Sequence, residues 1–485
     1  MAYLTEDRIS TIVERVVARM LAEGSVAAPL AAPPASPAAP PVVASSGSPK
    51  GERGVFTDLD AAVAAANAAY RRVHSLGLTK RYEIIAEMRR ESREQVDAIS
   101  RMAVEETGMG RVDQKIIKNR LVTEKTPGPE ILEPWAETGD NGLTLEEWAP
   151  FGVLGAIAPS TNPTETIICN AIAMISAGNA VVFNAHPSAR RVSAYTVQFL
   201  NDAIVRSGGP ENLITCTSEP TIQSAQALMK HPGIRLLVVT GGPGVVKEAM
   251  NSGKKVIAAG PGNPPVVVDE TADLDQAAEG IVLGVSLDNN IVCVAEKEII
   301  AVASIADALK QALKKYGAYE LNPAELAKME KLVVEGDHPN KKWVGKDAAL
   351  ILREIGVQAP PGTLIAYAEV PEQHPFVQHE MLMPVTGLVR VPDFDQAVAA
   401  AVRCEHGFGH SASMYSKNID HLHQMAVAIN TSIFTKNAPT YAGLGYTGEG
   451  FTSFTIASPT GEGLTTARSF SRRRRCVIKD YFRIV

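Results

Sequence analysis

Two kinds of hydrophobic pattern alternate along most of the chain. Residues 59–75 and 80–106 carry apolar side chains at helical spacing among Ala, Glu and Arg, and this periodicity predicts two helices. Short runs rich in Val and Ile, bounded by Gly, Pro or Asn, then occur at residues 152–158, 180–183, 235–240, 256–259 and 266–268. Because a helix-length segment or a turn separates each run from the next, the order predicts βαβ units and a largely parallel sheet.

A second series of strand-like runs follows Asp273, at residues 298–302, 364–367 and 385–389. The two series predict two α/β domains with a cleft between them, and such clefts commonly bind ligands. The longest apolar stretch, residues 167–183, is interrupted by Asn, Ser and a Gly-Asn pair. It therefore predicts a buried helix, a turn and a strand rather than a membrane-spanning helix.

The first fifty residues have a different pattern. Residues 5–22 place apolar side chains at helical spacing, with Arg and Glu elsewhere, which predicts an amphipathic helix capped by Thr5. The Pro/Ala/Ser-rich run at residues 31–41 predicts an extended, semi-rigid linker. We interpret residues 1–22 as a targeting helix that docks on a partner, joined by a linker of residues 23–53. The alternative is a helix that packs against its own body or a neighbouring subunit.

Composition and charge narrow the class of protein. The 485 residues exceed the size of one compact core, so two or three domains are expected. A formal net charge of −6 argues against attraction to nucleic acid or to an anionic membrane. We therefore interpret the basic run at residues 472–475 as a solvated strand or a subunit contact. The five cysteines lack paired spacing, which predicts neither disulfides nor a metal site, and no secretory signal is evident, so a cytoplasmic protein is expected.

A glycine-rich turn is the first candidate for ligand binding. The run at 235–240 leads directly into Gly241, Gly242, Pro243 and Gly244, and a helical segment begins at Val245. Glycines at such a turn let backbone N–H groups approach a phosphate, and the start of a helix favours negative charge. The full dinucleotide fingerprint is missing, so a plain βα turn remains the alternative.

Cys293 is the candidate nucleophile. It follows an Asp-Asn-Asn turn within an apolar run, and a charged triplet comes just after it. A thiolate can attack an aldehyde to give a thiohemiacetal, from which a hydride passes to a nicotinamide and a thioester remains. An inert buried cysteine is the alternative, and the other four thiols fit that description better.

Six motifs in order carry a family resemblance. They are residues 158–164 (APSTNPT), 260–265 (GPGNPP), the segment around Cys293, 379–384 (HEMLMP), 405–410 (EHGFGH) and 432–437 (SIFTKN). From about Thr57 to the C-terminus the chain resembles the aldehyde dehydrogenase superfamily. Within it, the chain looks most like the coenzyme-A-acylating propionaldehyde and acetaldehyde dehydrogenases of bacterial microcompartments.

The resemblance implies an α/β fold of the aldehyde dehydrogenase type. A Rossmann-variant NAD-binding domain would comprise residues 54–134 and 150–268, and an α/β catalytic domain residues 269–461. Residues 135–149 and 462–485 would form a small oligomerisation element, in which the segment near 135–148 meets a C-terminal strand at 475–485. The resemblance also implies a homo-oligomer, either a dimer or a tetramer.

The resemblance also implies roles for individual residues. Cys293 would be the acylated nucleophile, and the Asn162 side-chain amide would stabilise the oxyanion together with the Cys293 backbone N–H. Glu380 would hold the nicotinamide ribose. The residues implied along the NAD cofactor are Ile157, Thr240, Gly241, Gly242, Val245 and Glu380.

Two departures from related enzymes affect the predicted chemistry. Hydrolytic relatives carry a water-activating glutamate where this chain has the sequence AAGP at residues 258–261, without a carboxylate. Loss of a general base slows attack by water by about 10²–10⁴-fold, so coenzyme A, a good thiol nucleophile, is the expected acceptor. Asn184 stands where many relatives have a lysine near the adenosine ribose. The preference between NAD and NADP therefore stays open. The roles of His406 and His410 also stay open.

The resulting prediction is an NAD-dependent oxidoreductase that converts a short aldehyde, propionaldehyde first, into its acyl-CoA. The resemblance implies a ping-pong order, in which NADH leaves before coenzyme A enters. The alternatives are acetaldehyde as the main substrate, a hydrolytic aldehyde dehydrogenase, an acyl-phosphate reductase, or a microcompartment scaffold protein without activity. Residues 5–22 would bind a microcompartment shell protein.

Overall fold

The computed structural model describes residues 51–485, so the predicted helix at 5–22 and nearly all of the linker lie outside the described residues. Two parallel sheets and a small antiparallel sheet organise this part of the chain. Its α-helices are Leu59–His74, Leu78–Thr107, Val112–Lys125, Pro163–Ser176, Arg190–Arg206, Ile222–Lys230, Pro243–Met250, Leu274–Ser286, Ala303–Lys315, Pro323–Val333, Ala348–Glu354, Pro375–Gln378, Phe394–Cys404 and Ile419–Ile429. The two helices predicted at 59–75 and 80–106 are confirmed within two residues at each end.

The first sheet has six parallel strands. In spatial order they are Val55–Phe56, Ile214–Thr217, Ala180–Asn184, Val153–Ile157, Leu236–Thr240 and Lys255–Ala259. The middle strands are buried along their whole length because helices cover both faces, which explains their unbroken Val- and Ile-rich sequences. The parallel sheet predicted from the βαβ order is confirmed.

The second sheet has seven parallel strands. In spatial order they are Ala318–Glu320, Ile365–Glu369, Val385–Val391, Glu298–Val302, Pro265–Val268, Ser411–Tyr415 and Ile433–Lys436. Pro265–Val268 pairs with Glu298–Val302 on one side and with Ser411–Tyr415 on the other. The strand that ends the predicted first domain at residue 268 thus belongs to the second sheet, and the chain changes sheets in the turn at 260–264. The domain limits themselves stay a prediction. A short buried Val-rich run carries no signal that says which of two sheets it joins.

The small sheet is antiparallel and contains the strands Trp135–Gly139, Gly142–Pro150 and Ser471–Lys479. Pairing between the segment near 135–148 and a C-terminal strand is confirmed, although that strand begins at residue 471 and not at 475. Arg473 and Arg475 of the basic run lie on it and form ion pairs with Glu146 at 3.0 and 2.5 Å. This solvated strand agrees with the interpretation of the basic run, and its role in joining subunits stays a prediction.

The buried helix Pro163–Ser176 connects the core to the site. All of its residues are buried, so its sequence is apolar on every side. Gly178 follows it with a φ of +84°, and Asn179 accepts hydrogen bonds from the backbone N–H groups of Phe151 and Gly152 at 2.8 and 3.1 Å. The predicted order of helix, turn and strand is confirmed. Among residues 51–485, no helix combines the length and apolarity needed to cross a membrane.

Candidate active site

A cavity of about 810 Å³ lies at the carboxyl ends of the first sheet's strands and reaches the loop that carries Cys293. Ligands of open parallel sheets commonly bind at this edge. All eight residues predicted for the site line this one cavity: Ile157, Asn162, Thr240, Gly241, Gly242, Val245, Cys293 and Glu380. The structure therefore brings the predicted residues together, while their individual roles stay predictions.

The glycine-rich turn forms one part of the wall. Thr240 ends its strand, Gly241 donates a backbone hydrogen bond to Ala259 O at 3.2 Å, and Gly242 is the N-cap of the helix Pro243–Met250. The helix thus begins two residues earlier than predicted, with proline at its first position. Within the described residues, no atom lies within 4 Å of a Cβ built on Gly242. A helix N-terminus without a side-chain cap, beside open space, fits the phosphates of a dinucleotide.

A left-handed turn precedes Cys293, the candidate nucleophile. Asp288, Asn289 and Asn290 have φ angles of 47°, 55° and 67°, a conformation that Asp and Asn tolerate better than most residues. Asn290 Nδ2 donates to Val285 O at 2.8 Å and to Glu296 O at 2.9 Å. Asn289 Nδ2 donates to Gly345 O at 2.9 Å. These bonds hold an otherwise unfavourable backbone and fix the start of the segment that contains Cys293.

Cys293 is the thiol best placed for chemistry. All five cysteines lie within residues 51–485, and among them Cys293 lines the cavity and is half-buried. Burial, assisted by the charge of Glu380, raises the pKa of the Cys293 thiol to about 12, and Lys297 opposes this shift. At neutral pH the resting side chain is therefore a thiol, which must lose its proton as it attacks.

Two charged side chains flank this thiol. Glu380 also lines the cavity, and burial raises its pKa, while Lys297 and a backbone bond from Gly262 oppose that shift. Lys297 is buried, and its ammonium donates to Asn290 O at 2.8 Å and to Asn290 Oδ1 at 2.6 Å. Lys297 therefore holds the turn before Cys293 in place, and it lies close enough to the Cys293 sulfur to oppose the rise in the thiol pKa.

Asn162 lies at the N-cap of the helix Pro163–Ser176 and faces the same loop. Its Nδ2 donates to Ile291 O and to Thr161 Oγ1, both at 3.3 Å, and its Oδ1 accepts a hydrogen bond from Lys118. Both Nδ2 bonds are long, so the amide can exchange either of them for a stronger acceptor. Sequence reasoning did not identify Lys118, because a buried lysine in a polar helix resembles its solvated neighbours.

The structure also places the two segments in which this chain departs from related enzymes, residues 258–261 and Asn184. Ala259, Gly260 and Pro261 line the cavity, and Glu380 is the one carboxylate in its lining among the described residues. Asn184 lines the cavity too, and its Oδ1 accepts from Ser224 Oγ at 2.6 Å. This wall therefore offers no carboxylate at the segment where hydrolytic relatives carry their glutamate.

The structure also places the two histidines whose roles stay open. His406 is exposed, and its Nε2 lies 3.1 Å from Gln378 O. His410 is fully buried, and burial, assisted by Lys297, lowers its pKa to about 4. Neither histidine is part of the cavity lining, and His410 is neutral at physiological pH.

The chain belongs to the aldehyde dehydrogenase family, whose model matches residues 50–327. It is accordingly an oxidoreductase, and the resemblance inferred from the six motifs is confirmed. A curated acetaldehyde dehydrogenase (acetylating) from Salmonella typhimurium is 49% identical over 90% of this chain and 94% of its own length.

Two solved structures are similar along nearly all of the described chain. The Rhodopseudomonas palustris propionaldehyde dehydrogenase with bound CoA and an acylated cysteine is 51% identical, with a TM-score of 0.87 over 88% of this chain and 98% of that one. The propionaldehyde dehydrogenase of the Clostridium phytofermentans fucose utilisation bacterial microcompartment is 48% identical, with a TM-score of 0.88 over 90% of this chain and 100% of that one. The predicted fold class is confirmed.

Proposed function

We propose that this protein oxidises a short aliphatic aldehyde to its acyl-CoA, with NAD as the hydride acceptor and Cys293 as the acylated nucleophile. The observation that carries this proposal is that Cys293, Asn162 and the glycine-rich helix N-terminus share one cavity. The relative with bound CoA and an acylated cysteine supports the same chemistry. A scaffold without activity would not need a nucleophile, an amide donor and a candidate phosphate-binding turn in one cavity.

The residues of this chain divide the chemistry between them. Cys293 Sγ bonds to the aldehyde carbon as its proton leaves, and the Asn162 amide and the Cys293 N–H stabilise the carbonyl oxygen as it becomes negative. NAD supplies the hydride acceptor when it is bound. Coenzyme A then attacks the Cys293 thioester through its own thiol, and Cys293 leaves as the thiol of the resting enzyme. Because the wall at residues 259–261 has no carboxylate, water has no general base there and thiolysis is favoured.

The direct test is NADH formation from propionaldehyde and NAD, with and without coenzyme A. Steady turnover is expected to require coenzyme A, and Cys293→Ala is expected to abolish it. Cys476→Ala is the matched control, because that thiol is exposed and lies outside the cavity lining. Turnover that ignores coenzyme A would indicate the hydrolytic alternative, and turnover that survives Cys293→Ala would contradict the assigned nucleophile.

Propionaldehyde is the proposed substrate, with acetaldehyde as the second candidate. The cavity near Cys293 is bounded by apolar side chains, including Ile291, Leu382 and Phe454. One methylene in such a pocket is worth about 1–3 kcal/mol. The value of kcat/KM should therefore rise by roughly 10-fold or more from acetaldehyde to propionaldehyde. A higher kcat/KM for acetaldehyde would reverse the assignment.

We further propose that residues 5–22 bind a microcompartment shell protein and direct the enzyme into that compartment within the cytoplasm. The relative from a fucose utilisation microcompartment supports this, as does the amphipathic pattern of the segment. Removing residues 1–50 should leave turnover intact, because the cavity is built from residues 157–456. A fluorescent fusion should lose its compartment in Val13→Glu, on the apolar stripe, but not in Arg15→Ala; equal behaviour of the two variants would contradict docking by that stripe.

A further inference from the structure

A buried cluster of four charged side chains lies behind Asn162. Lys118 Nζ forms ion pairs with Asp288 at 2.5 Å and with Glu165 at 3.0 Å, and Lys115 Nζ forms a second ion pair with Asp288 at 3.0 Å. All four side chains are almost completely removed from solvent. Two cations and two anions balance, so the cluster is neutral as a whole.

Of the two lysines, Lys118 contacts the candidate oxyanion donor. Its ammonium donates to Asn162 Oδ1, whereas the Lys115 ammonium donates to the backbone oxygen of Thr161 at 3.0 Å. Both lysines come from the helix Val112–Lys125, one turn apart. They are therefore a matched pair: both are buried lysines that form an ion pair with Asp288, and they differ in their contact with the amide.

The chemistry of the ammonium fixes which way the amide faces. A lysine ammonium has only donors, so the Asn162 atom against it must be the oxygen. The amide nitrogen consequently faces the loop of Cys293, as its 3.3 Å distance to Ile291 O shows. With the amide reversed, its N–H groups would oppose a buried cation, and its oxygen would face the carbonyl oxygen of Ile291.

A hydrogen bond from a cation also polarises the amide. Charge drawn toward Oδ1 makes the Nδ2 hydrogens more positive and therefore better donors. The effect is strongest where water is excluded, and Asn162 is 7% exposed. Burial lowers the pKa of Lys118, but Asp288 and Glu165 more than offset this, so its ammonium stays charged.

We propose that Lys118 is a positioning residue for the acylation step, which holds the Asn162 amide with its N–H groups toward the Cys293 loop and strengthens them as oxyanion donors. The proposal rests on the thioester chemistry proposed above. It assigns the cluster a catalytic purpose in addition to stabilising the left-handed turn at Asp288.

The test uses a background in which loss of a lysine leaves the cluster neutral. Glu165→Gln removes one anion, so that either Lys118→Met or Lys115→Met then leaves one cation with Asp288. The readout is the single-turnover burst of NADH from propionaldehyde without coenzyme A, which reports acylation alone. Lys118→Met is expected to slow the burst by about 10- to 100-fold, less than the 10²–10³-fold typical of deleting an oxyanion donor outright. Lys115→Met is expected to slow it by less than about threefold.

A double-mutant cycle with Asn162→Ala tests whether Lys118 acts through the Asn162 amide. Once the amide is gone, Lys118→Met should slow the burst no further, whereas a purely structural defect would multiply with it. The dissociation constant for NAD and the melting temperature should match between the two Met variants, and Lys118→Arg should recover most of the rate.

Three outcomes would overturn the proposal: equal rates for the two Met variants, a Lys118→Met effect that persists without Asn162, or a weakened affinity for NAD that accounts for the loss. If Lys118→Met does not fold, Lys118→Gln in the same background decides, since a loss of rate that is the same with and without Asn162 contradicts the proposal. Failure of the proposed function looks different, because the parent protein itself would then give no burst.

Discussion

At the scale of single residues, the proposed chemistry depends on the protonation state of the Cys293 thiol. Burial and the nearby Glu380 raise its pKa to about 12, so only about one molecule in a thousand carries a thiolate at pH 9. A negative charge beside a thiolate disfavours ionisation, and removing that charge lowers the thiol pKa. The direction of this effect can be measured without any cofactor.

We expect Glu380→Gln to speed the alkylation of Cys293 by iodoacetamide by roughly 3- to 10-fold at pH 9, because Glu380 contributes to the raised pKa of the Cys293 thiol. The pH profile of the rate should move to lower pH by the same change in pKa. Mass spectrometry of the modified peptides measures it, with the exposed thiol of Cys476 as an internal control. An alkylation rate that is unchanged at Cys293 would show that Glu380 does not act on the sulfur.

At the residue scale, sequence analysis singles out side chains that have distinctive neighbours. Cys293 and Asn162 lie in motifs that could be compared with a family, and the structure places both on one cavity. Lys118 could not be found in this way, because its burial results from packing between segments 44 and 170 residues away in the sequence. Hydrophobic periodicity does not report such long-range ion pairs.

At the scale of elements, the glycine-rich turn matters because it leads into the N-terminus of the helix Pro243–Met250. Gly242 has a φ of −68°, which any residue can adopt, so the glycine is not required by the backbone. Its absent side chain leaves room in front of the first helical N–H groups. A carboxylate at this position would cap the helix and repel a phosphate in the same space.

Gly242→Asp should therefore weaken the binding of NAD by about tenfold or more while the protein keeps its stability. Gly77→Asp is a matched control: Gly77 is also the N-cap of a helix, has a φ of −64° and likewise has open space at its Cβ within the described residues, but it lies outside the cavity lining. Isothermal titration with NAD measures both variants. Equal dissociation constants would place the dinucleotide phosphates elsewhere.

At the scale of the whole molecule, strand order was the hardest property to predict. The run at 266–268 was recognised as a strand, but its partners are residues 298–302 and 411–415, which nothing in its own sequence indicates. The chain changes sheets just before it, in a turn that also lines the cavity. Local pattern thus gave the elements and their type, while pairing depended on contacts between distant segments.

The small antiparallel sheet leads to a prediction about how subunits associate. Its strand Ser471–Lys479 forms one edge of the sheet in the described chain, and Val477 is 59% exposed there. Exposed apolar side chains on an unpaired edge strand invite pairing with another chain, and residues 135–149 and 462–485 are predicted to form the oligomerisation element. Val477→Asp should shift the mass measured by light scattering toward that of one chain.

The control for this experiment is Val427→Asp. Val427 is 67% exposed, on the helix Ile419–Ile429 beside the second sheet, so the same change in chemistry is made away from the small sheet. An identical mass distribution for the two variants would contradict a subunit contact at this edge.

The half-buried, protonated state of Cys293 also has a consequence for how the enzyme ages. Peroxide attacks thiolates far faster than thiols, and oxidation to sulfinic acid is irreversible in most proteins. A sulfur that is kept as a thiol at rest is thereby shielded from oxidative damage, although it faces an open cavity. Its exposure to oxidants is confined to the moments when the proton has left, so damage should accumulate with the number of catalytic cycles and not with time in storage.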